Sequence, residues 1–288
     1  VLVALGIGLY FAAQNAREAA AQAHIAATHL DALLDVLGSA NPQKFAGRDP
    51  PARDFLVAAA KRLQSHYASD VALNLRALTE IGHGLLNLGR HREAERVLLQ
   101  ALAAADRLPA SQIQERLSVL ALLVQSQDDA EAVARLPASI ARIEAMAALP
   151  DVPAASLIDA LARAAGPLSR YGATDEAERV LNQAEQILLR TPQLDGSVLE
   201  HFWRQRGWVD LRLARFADAD RAFALAEAQY LLHPYEFGML RRAESDFLRA
   251  ETALELGDTE RAQIWIARAQ VEFFKEYAAD HPERAAFN

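Results

Sequence analysis

Two stretches decide the fold: LLNLGRHREAERVLLQAL at residues 85–102 and ALELGDTERAQIWIARAQ at residues 253–270. Each reads as an apolar helix that ends at a glycine, a short polar turn, and a second helix. That second helix carries alanine and a large apolar residue four apart on one face. Gly89 and Gly257 stand where a helix terminus takes up a left-handed backbone.

The same five positions recur. They read Gly82, Gly89, Ala94, Leu98, Ala101, then Ala165, Gly172, Ala177, Leu181, Ala184. They read again as Gly207, Ala214, Ala219, Phe223, Ala226 and as Ala250, Gly257, Ala262, Ile266, Ala269. The third-position alanines are 83, 42 and 43 residues apart, so one copy is hidden in the first gap. Leu120, Gln127, Ala132, Leu136 and Ser139 fill that slot poorly, and Pro137 is expected to interrupt its second helix. Asp128-Asp129 is expected to cap that helix. A helix pair alone leaves an apolar face bare, so neighbouring pairs must stack. The expected fold is all-α, an α-solenoid of about five antiparallel pairs, the second degenerate, over residues 70–280.

Composition agrees. The 288 residues are 52% hydrophobic but only 7% aromatic, which leaves mostly alanine and leucine, both good helix formers. The absence of cysteine excludes a disulfide scaffold, a thiolate metal site and a Cys nucleophile. A net charge of −8 without a long basic run argues against nucleic-acid binding. No phosphate-binding glycine loop, zinc-protease helix or nucleophile elbow occurs. No catalytic residue, cofactor or metal site is therefore expected, and the eight histidines are scattered.

The repeat positions resemble those of tetratricopeptide (TPR) repeats. Trp203 and Gly207 match the start of the TPR pattern, and Ala219 with Phe223 matches its second helix. Arg206 and Asp210 depart from it where apolar residues are usual, and the 42-residue period exceeds 34. The resemblance implies that the first helix of each pair lines a concave groove for a protein or peptide partner, with self-association an alternative. Reading equivalent positions predicts a partner-binding set of Arg76, His83, Asn87, His201, Arg204, Trp208, Arg212 and Glu251. The groove would be basic and aromatic near residues 201–212 and acidic near 244–255. Thr79 and His83 stand where chaperone-binding repeats carry Lys and Asn, so a clamp for a C-terminal carboxylate is not expected. Of the tryptophans, Trp203 and Trp265 are expected in the core, whereas Trp208 is a candidate binding anchor.

The N-terminal residues suggest a membrane. VLVALGIGLYFAA, residues 1–13, carries no charge and reads as the C-terminal part of a transmembrane helix whose remainder lies upstream. Arg17 is the sole Lys or Arg between Gln14 and Gln43, so the following residues are expected outside the cytoplasm. Residues 14–69 then form juxtamembrane helices and a loop, and 281–288 a tail. The stretch at residues 30–64, with Ser39-Ala40-Asn41-Pro42, Gly47-Arg48 and a helix start at Asp49-Pro50-Pro51, resembles the juxtamembrane segment of bacterial membrane-anchored serine/threonine protein kinases. That resemblance implies a single-pass bacterial membrane protein with a kinase domain upstream and the repeats periplasmic. No kinase motif lies within the 288 residues, so no enzyme activity is expected of them. Membrane-bound winged-helix transcription regulators carry similar repeat regions and are an alternative parent, as is an envelope assembly protein; an enzyme built on the helical array is the remaining alternative.

Overall fold

The computed structural model describes residues 52–66, 70–109, 113–149, 151–191, 193–232 and 238–276. Residues 1–51 lie outside these, and with them the expected membrane segment, the Asn-Pro turn and the Asp49-Pro50-Pro51 helix start. Among the described residues no helix is long and apolar enough to cross a membrane.

The described chain is helical throughout. The elements are α1 (Ala52–His66), α2 (Val71–Asn87), α3 (His91–Ala105), α4 (Ile113–Ser126), α5 (Leu136–Ala147), α6 (Ala154–Arg170), α7 (Thr174–Leu188), α8 (Gly196–Arg212), α9 (Phe216–Leu232), α10 (Gly238–Glu255) and α11 (Thr259–Glu276). A 3-10 turn, Val133–Arg135, precedes α5. The chain divides into two compact units after Pro109.

In the first unit α1 packs on α2, and α2 pairs with α3. Asp70 caps α2, its carboxylate accepting the Leu73 N–H at 3.0 Å. The glycine of the first repeat position works as its small size requires. A methyl group on Gly82 would sit 2.6 Å from Leu98 Cδ2 and Cγ, so only hydrogen lets α2 and α3 close to this distance. Leu98 and Ala101 are completely buried beneath it.

The second unit holds four pairs: α4/α5, α6/α7, α8/α9 and α10/α11. The first helices also pack on one another, α4 on α6 and α6 on α8, so the pairs stack as a layered array. Gly207 repeats the role of Gly82: a Cβ there would lie 2.7 to 2.9 Å from three atoms of the buried Phe223 ring.

The turns share one geometry in both units. Gly89, Gly172, Ala214 and Gly257 have φ of +66, +86, +56 and +78°. In each turn the following N–H donates back five residues: Arg90 to Leu85, Ala173 to Leu168, Arg215 to Asp210 and Asp258 to Ala253, all at 2.8 Å. The turn residue's own N–H donates back three residues, as from Gly89 to Leu86 at 2.8 Å. This double closure satisfies two carbonyls that the helix end would leave open. Ala214 alone makes the turn with a side chain in the left-handed region, a conformation costing L residues about 1–2 kcal/mol.

The α4/α5 pair departs from the others at its connection. Leu120, Gln127, Ala132, Leu136 and Ser139 are all buried, so the five positions keep their packing role. The turn, however, is lengthened by the 3-10 segment. Pro137 does not interrupt the second helix; α5 starts at Leu136, and Pro137 sits in its first turn, where a missing N–H costs nothing. Asp129 does not cap α5 either: its carboxylate accepts the Glu131 N–H and shapes the turn before the 3-10 segment.

Candidate peptide groove

The first helices of the second unit expose one continuous wall. Gln125 from α4, Asp128 just beyond it, Arg163 and Arg170 from α6, His201, Arg204, Gln205 and Trp208 from α8, and Glu244 and Leu248 from α10 line a groove of about 330 Å³. Among the described residues, no second helix contributes a side chain to it. Gly166 opens this wall, because a Cβ there would lie 3.1 Å from Gln205 Oε1 on α8.

Repeat-equivalent residues meet across it. His201 Nδ1 lies 2.8 Å from Asp159 Oδ1, one repeat earlier, and Asp159 also accepts Arg163 Nε at 2.8 Å. Burial pushes the His201 imidazole down to about 4, against the pull of Asp159. Burial alone would raise the Asp159 carboxyl, but the hydrogen bond from His201 and the charge of Arg163 hold it well below the usual carboxylate range. The pair is thus a neutral imidazole donating from Nδ1 to a carboxylate. Arg163 Nη1 donates onward to Gln125 Oε1 at 2.6 Å. Arg170 pairs with Asp128, just beyond the end of α4.

Trp208 is the aromatic feature of the groove. It packs on the cluster of Leu211, Ala219, Phe223 and Leu248. Arg212 stands over its ring at 4.9 Å and Arg170 at 6.0 Å. Its indole Nε1 is buried without a hydrogen-bond partner. Arg212 is exposed, and among the described residues no carboxylate pairs with it.

The eight residues expected to bind a partner fall into groups. His201, Arg204 and Trp208 line the groove, with Arg212 at its rim. Glu251 is exposed on α10, two turns beyond the lining residue Glu244. Arg76, His83 and Asn87 belong to the first unit, where they share an exposed face of α2. Arg204 is not a free contact: it is buried and bonded through Nε to the buried Glu200 at 3.2 Å, with Glu244 3.5 Å from Nη1. The sequence reading missed Arg163, Arg170 and Gln205. The signal was available, since Arg170 lies 42 residues before Arg212.

The tryptophans outside the groove differ from expectation in detail. Trp203 is half-buried, edge-on to Phe202 at 5.0 Å between ring centres. Trp265 packs on Ala250, Ala253 and Ala262 and is held by two guanidiniums, Arg249 at 3.8 Å and Arg268 at 4.3 Å. The departures at Arg206 and Asp210 are buried but partnered. Arg206 donates to Asn182 and Glu185 of α7 at 2.8 and 2.6 Å. Burial raises the Asp210 carboxyl, against the nearby charges of Arg206 and Arg215.

No family model matches the chain, and no curated protein does. Solved structures do. The crystal structure of BtubC (BKLC) from P. vanneervenii matches 81% of this chain and 96% of its own, with TM-score 0.57 and 14% identity. The chain has a TPR-like α-solenoid fold. A putative kinesin light chain from Podosopora anserina with nearly identical TPR-like repeats covers 71% of this chain and 97% of its own, at TM-score 0.48 and 18% identity. At such identities the likeness concerns the fold alone.

Proposed function

We propose that this chain is a protein-interaction module and that the groove of its second unit holds a peptide segment of the partner. The carrying observation is Trp208, partly exposed in a groove wall between two guanidiniums, one of which, Arg212, has no carboxylate partner among the described residues. Tryptophan and arginine are the residues most enriched at interaction hot spots. A groove lined by side chains of parallel first helices, open along its length, suits an extended chain better than a small molecule. The lining also carries no arrangement of nucleophile and base.

The groove reading is tested by selecting binders from a displayed random-peptide library against the purified protein. Binders should lose affinity when Gln205→Trp fills the groove and keep it when Leu225→Lys alters the exposed side of α9. Loss with Leu225→Lys alone would place the binding surface elsewhere.

The wider setting we propose is a membrane-anchored bacterial signalling protein. The support is the uncharged run Val1–Ala13, the lysine- and arginine-poor residues that follow, and the juxtamembrane resemblance at residues 30–64. The repeats would then stand on the periplasmic side and report partner binding to an upstream domain of kinase type. An alkaline-phosphatase fusion after residue 60 of the full protein tests this. Active enzyme supports the topology, and an inactive but expressed fusion overturns it.

A further inference from the structure

The repeat period turns the groove into a set of rows. Arg170, Arg212 and Glu255 are spaced 42 and 43 residues apart, so they occupy one equivalent position at the end of three successive first helices. The first member pairs with an oppositely charged neighbour, Asp128 just beyond α4. The last two do not: Arg212 stacks on Trp208 at 4.9 Å, and Glu255 is exposed, without a cation paired to it among the described residues. A guanidinium lying over an indole keeps its in-plane N–H groups available, in a fork that fits a carboxylate.

We infer that the groove's ligand is an extended peptide carrying an acidic and a basic residue three positions apart, the acid on Arg212 and the base on Glu255. This rests on the groove reading above. The spacing follows from two lengths. Helices in contact, as α8 and α10 are through Trp208 and Leu248, have axes about 8–10 Å apart, and three residues of polyproline-type extended chain, whose side chains return to one face every third residue, span about 9 Å. The two intervening side chains then flank the Trp208–Leu248 part of the wall, which is the apolar stretch of the groove. Glu251, the repeat-equivalent of Trp208, adds a second carboxylate on the α10 side and reinforces the choice of a base there.

The test uses defined twelve-residue peptides on one Ala/Ser/Leu background, titrated by fluorescence anisotropy. The set contains Asp-x-x-Lys, Lys-x-x-Asp, adjacent Asp-Lys, Asp-x-x-Asp, Lys-x-x-Lys and an uncharged control. One of the two mixed-charge, three-apart peptides should bind about tenfold tighter than the like-charged ones, as two solvent-edge ion pairs would give. Arg212→Glu should move the preference to Lys-x-x-Lys, and Glu255→Arg should move it to Asp-x-x-Asp. Both sites are exposed, and retained far-UV circular dichroism shows that folding is unaffected. Binding that ignores charge pattern or spacing, or preferences unmoved by both variants, overturns this inference while leaving the groove reading standing. If no peptide of the set binds while library-selected peptides do, this inference is overturned and the groove reading stands; if the library selection also yields none, the groove reading fails and this inference falls with it.

Discussion

Replacing Gly207 by alanine puts the closest helix contact of the second unit under direct test. The added methyl would meet Phe223 Cε1, Cδ1 and Cζ at 2.7, 2.8 and 2.9 Å. The ring is fully buried, so it cannot swing into solvent, and α8 must move from α9 or Phe223 must leave its rotamer. Overpacking of this kind costs about 1–3 kcal/mol. Alanine regains up to about 1 kcal/mol of helix propensity over glycine. The expected net effect of Gly207→Ala is a loss of about 1–2 kcal/mol. Gly84 supplies the internal control: a Cβ there meets only Leu56 Cδ1, the end of a flexible side chain, at 3.3 Å, so Gly84→Ala should be neutral or gain up to about 1 kcal/mol. Urea unfolding followed by tryptophan fluorescence reports the second unit, because Trp203, Trp208 and Trp265 all lie there. Circular dichroism follows Gly84→Ala. Shrinking the ring in Phe223→Leu/Gly207→Ala should recover part of the loss, with a coupling of about 1 kcal/mol in the double-mutant cycle. A Gly207→Ala protein as stable as the parent, with no coupling to Phe223, would refute the close-contact account of the repeat.

Three further outcomes follow from the same structure. Ala214→Gly relieves a left-handed alanine and should stabilise the second unit by about 1 kcal/mol in the same urea assay. Arg249→Ala removes the cation that bonds Asp220 and Glu227 and stacks on Trp265, and should cost about 3 kcal/mol; Arg221→Ala, whose side chain is 77% exposed, should change stability by less than about 0.5 kcal/mol. His201 should impose an acid sensitivity. Its folded value of about 4 lies below the ordinary 6.5, so the unfolded chain takes up the proton first as pH falls. Its contribution is therefore complete above about pH 6.5 and is lost progressively down to pH 4, by about 3 kcal/mol in all. Asp159 acts in the same direction at lower pH, since its depressed value means that stability is lost once the unfolded carboxyl protonates. The stability difference between the parent and His201→Gln should shrink by that amount between pH 7 and 4, and a constant difference would contradict the buried neutral imidazole.

The pairing of helices was legible because its determinants are local and steric. Gly82, Gly207 and the left-handed turn residues Gly89, Gly172 and Gly257 leave a fixed spacing that needs no knowledge of distant partners. The poor fit of residues 120–139 to that spacing was legible too, but its cause was misread. Pro137 looked like a helix breaker because the extra turn residues 128–135, which shift the helix start to Leu136, cannot be recognised from five fixed positions. The groove was legible only in part. Periodicity placed His201, Arg204 and Trp208 on one wall, yet could not show that Arg204 is consumed by Glu200 while Arg212, four residues beyond Trp208, is left open. Arg206 and Asp210 looked like flaws in an apolar pattern because their partners, Asn182, Glu185 and Arg215, come from other helices and the following turn. Side-chain pairing across repeats is a tertiary property, and it decides which charges remain for a ligand.

The central claim, that partners bind on the first-helix wall of the second unit, is tested most directly by site-specific photo-crosslinking. A photoreactive residue at Gln205, in the groove wall, should crosslink to a selected peptide, and the same group at Leu225, exposed on α9, should not. Crosslinking at Leu225 with none at Gln205 would contradict the account.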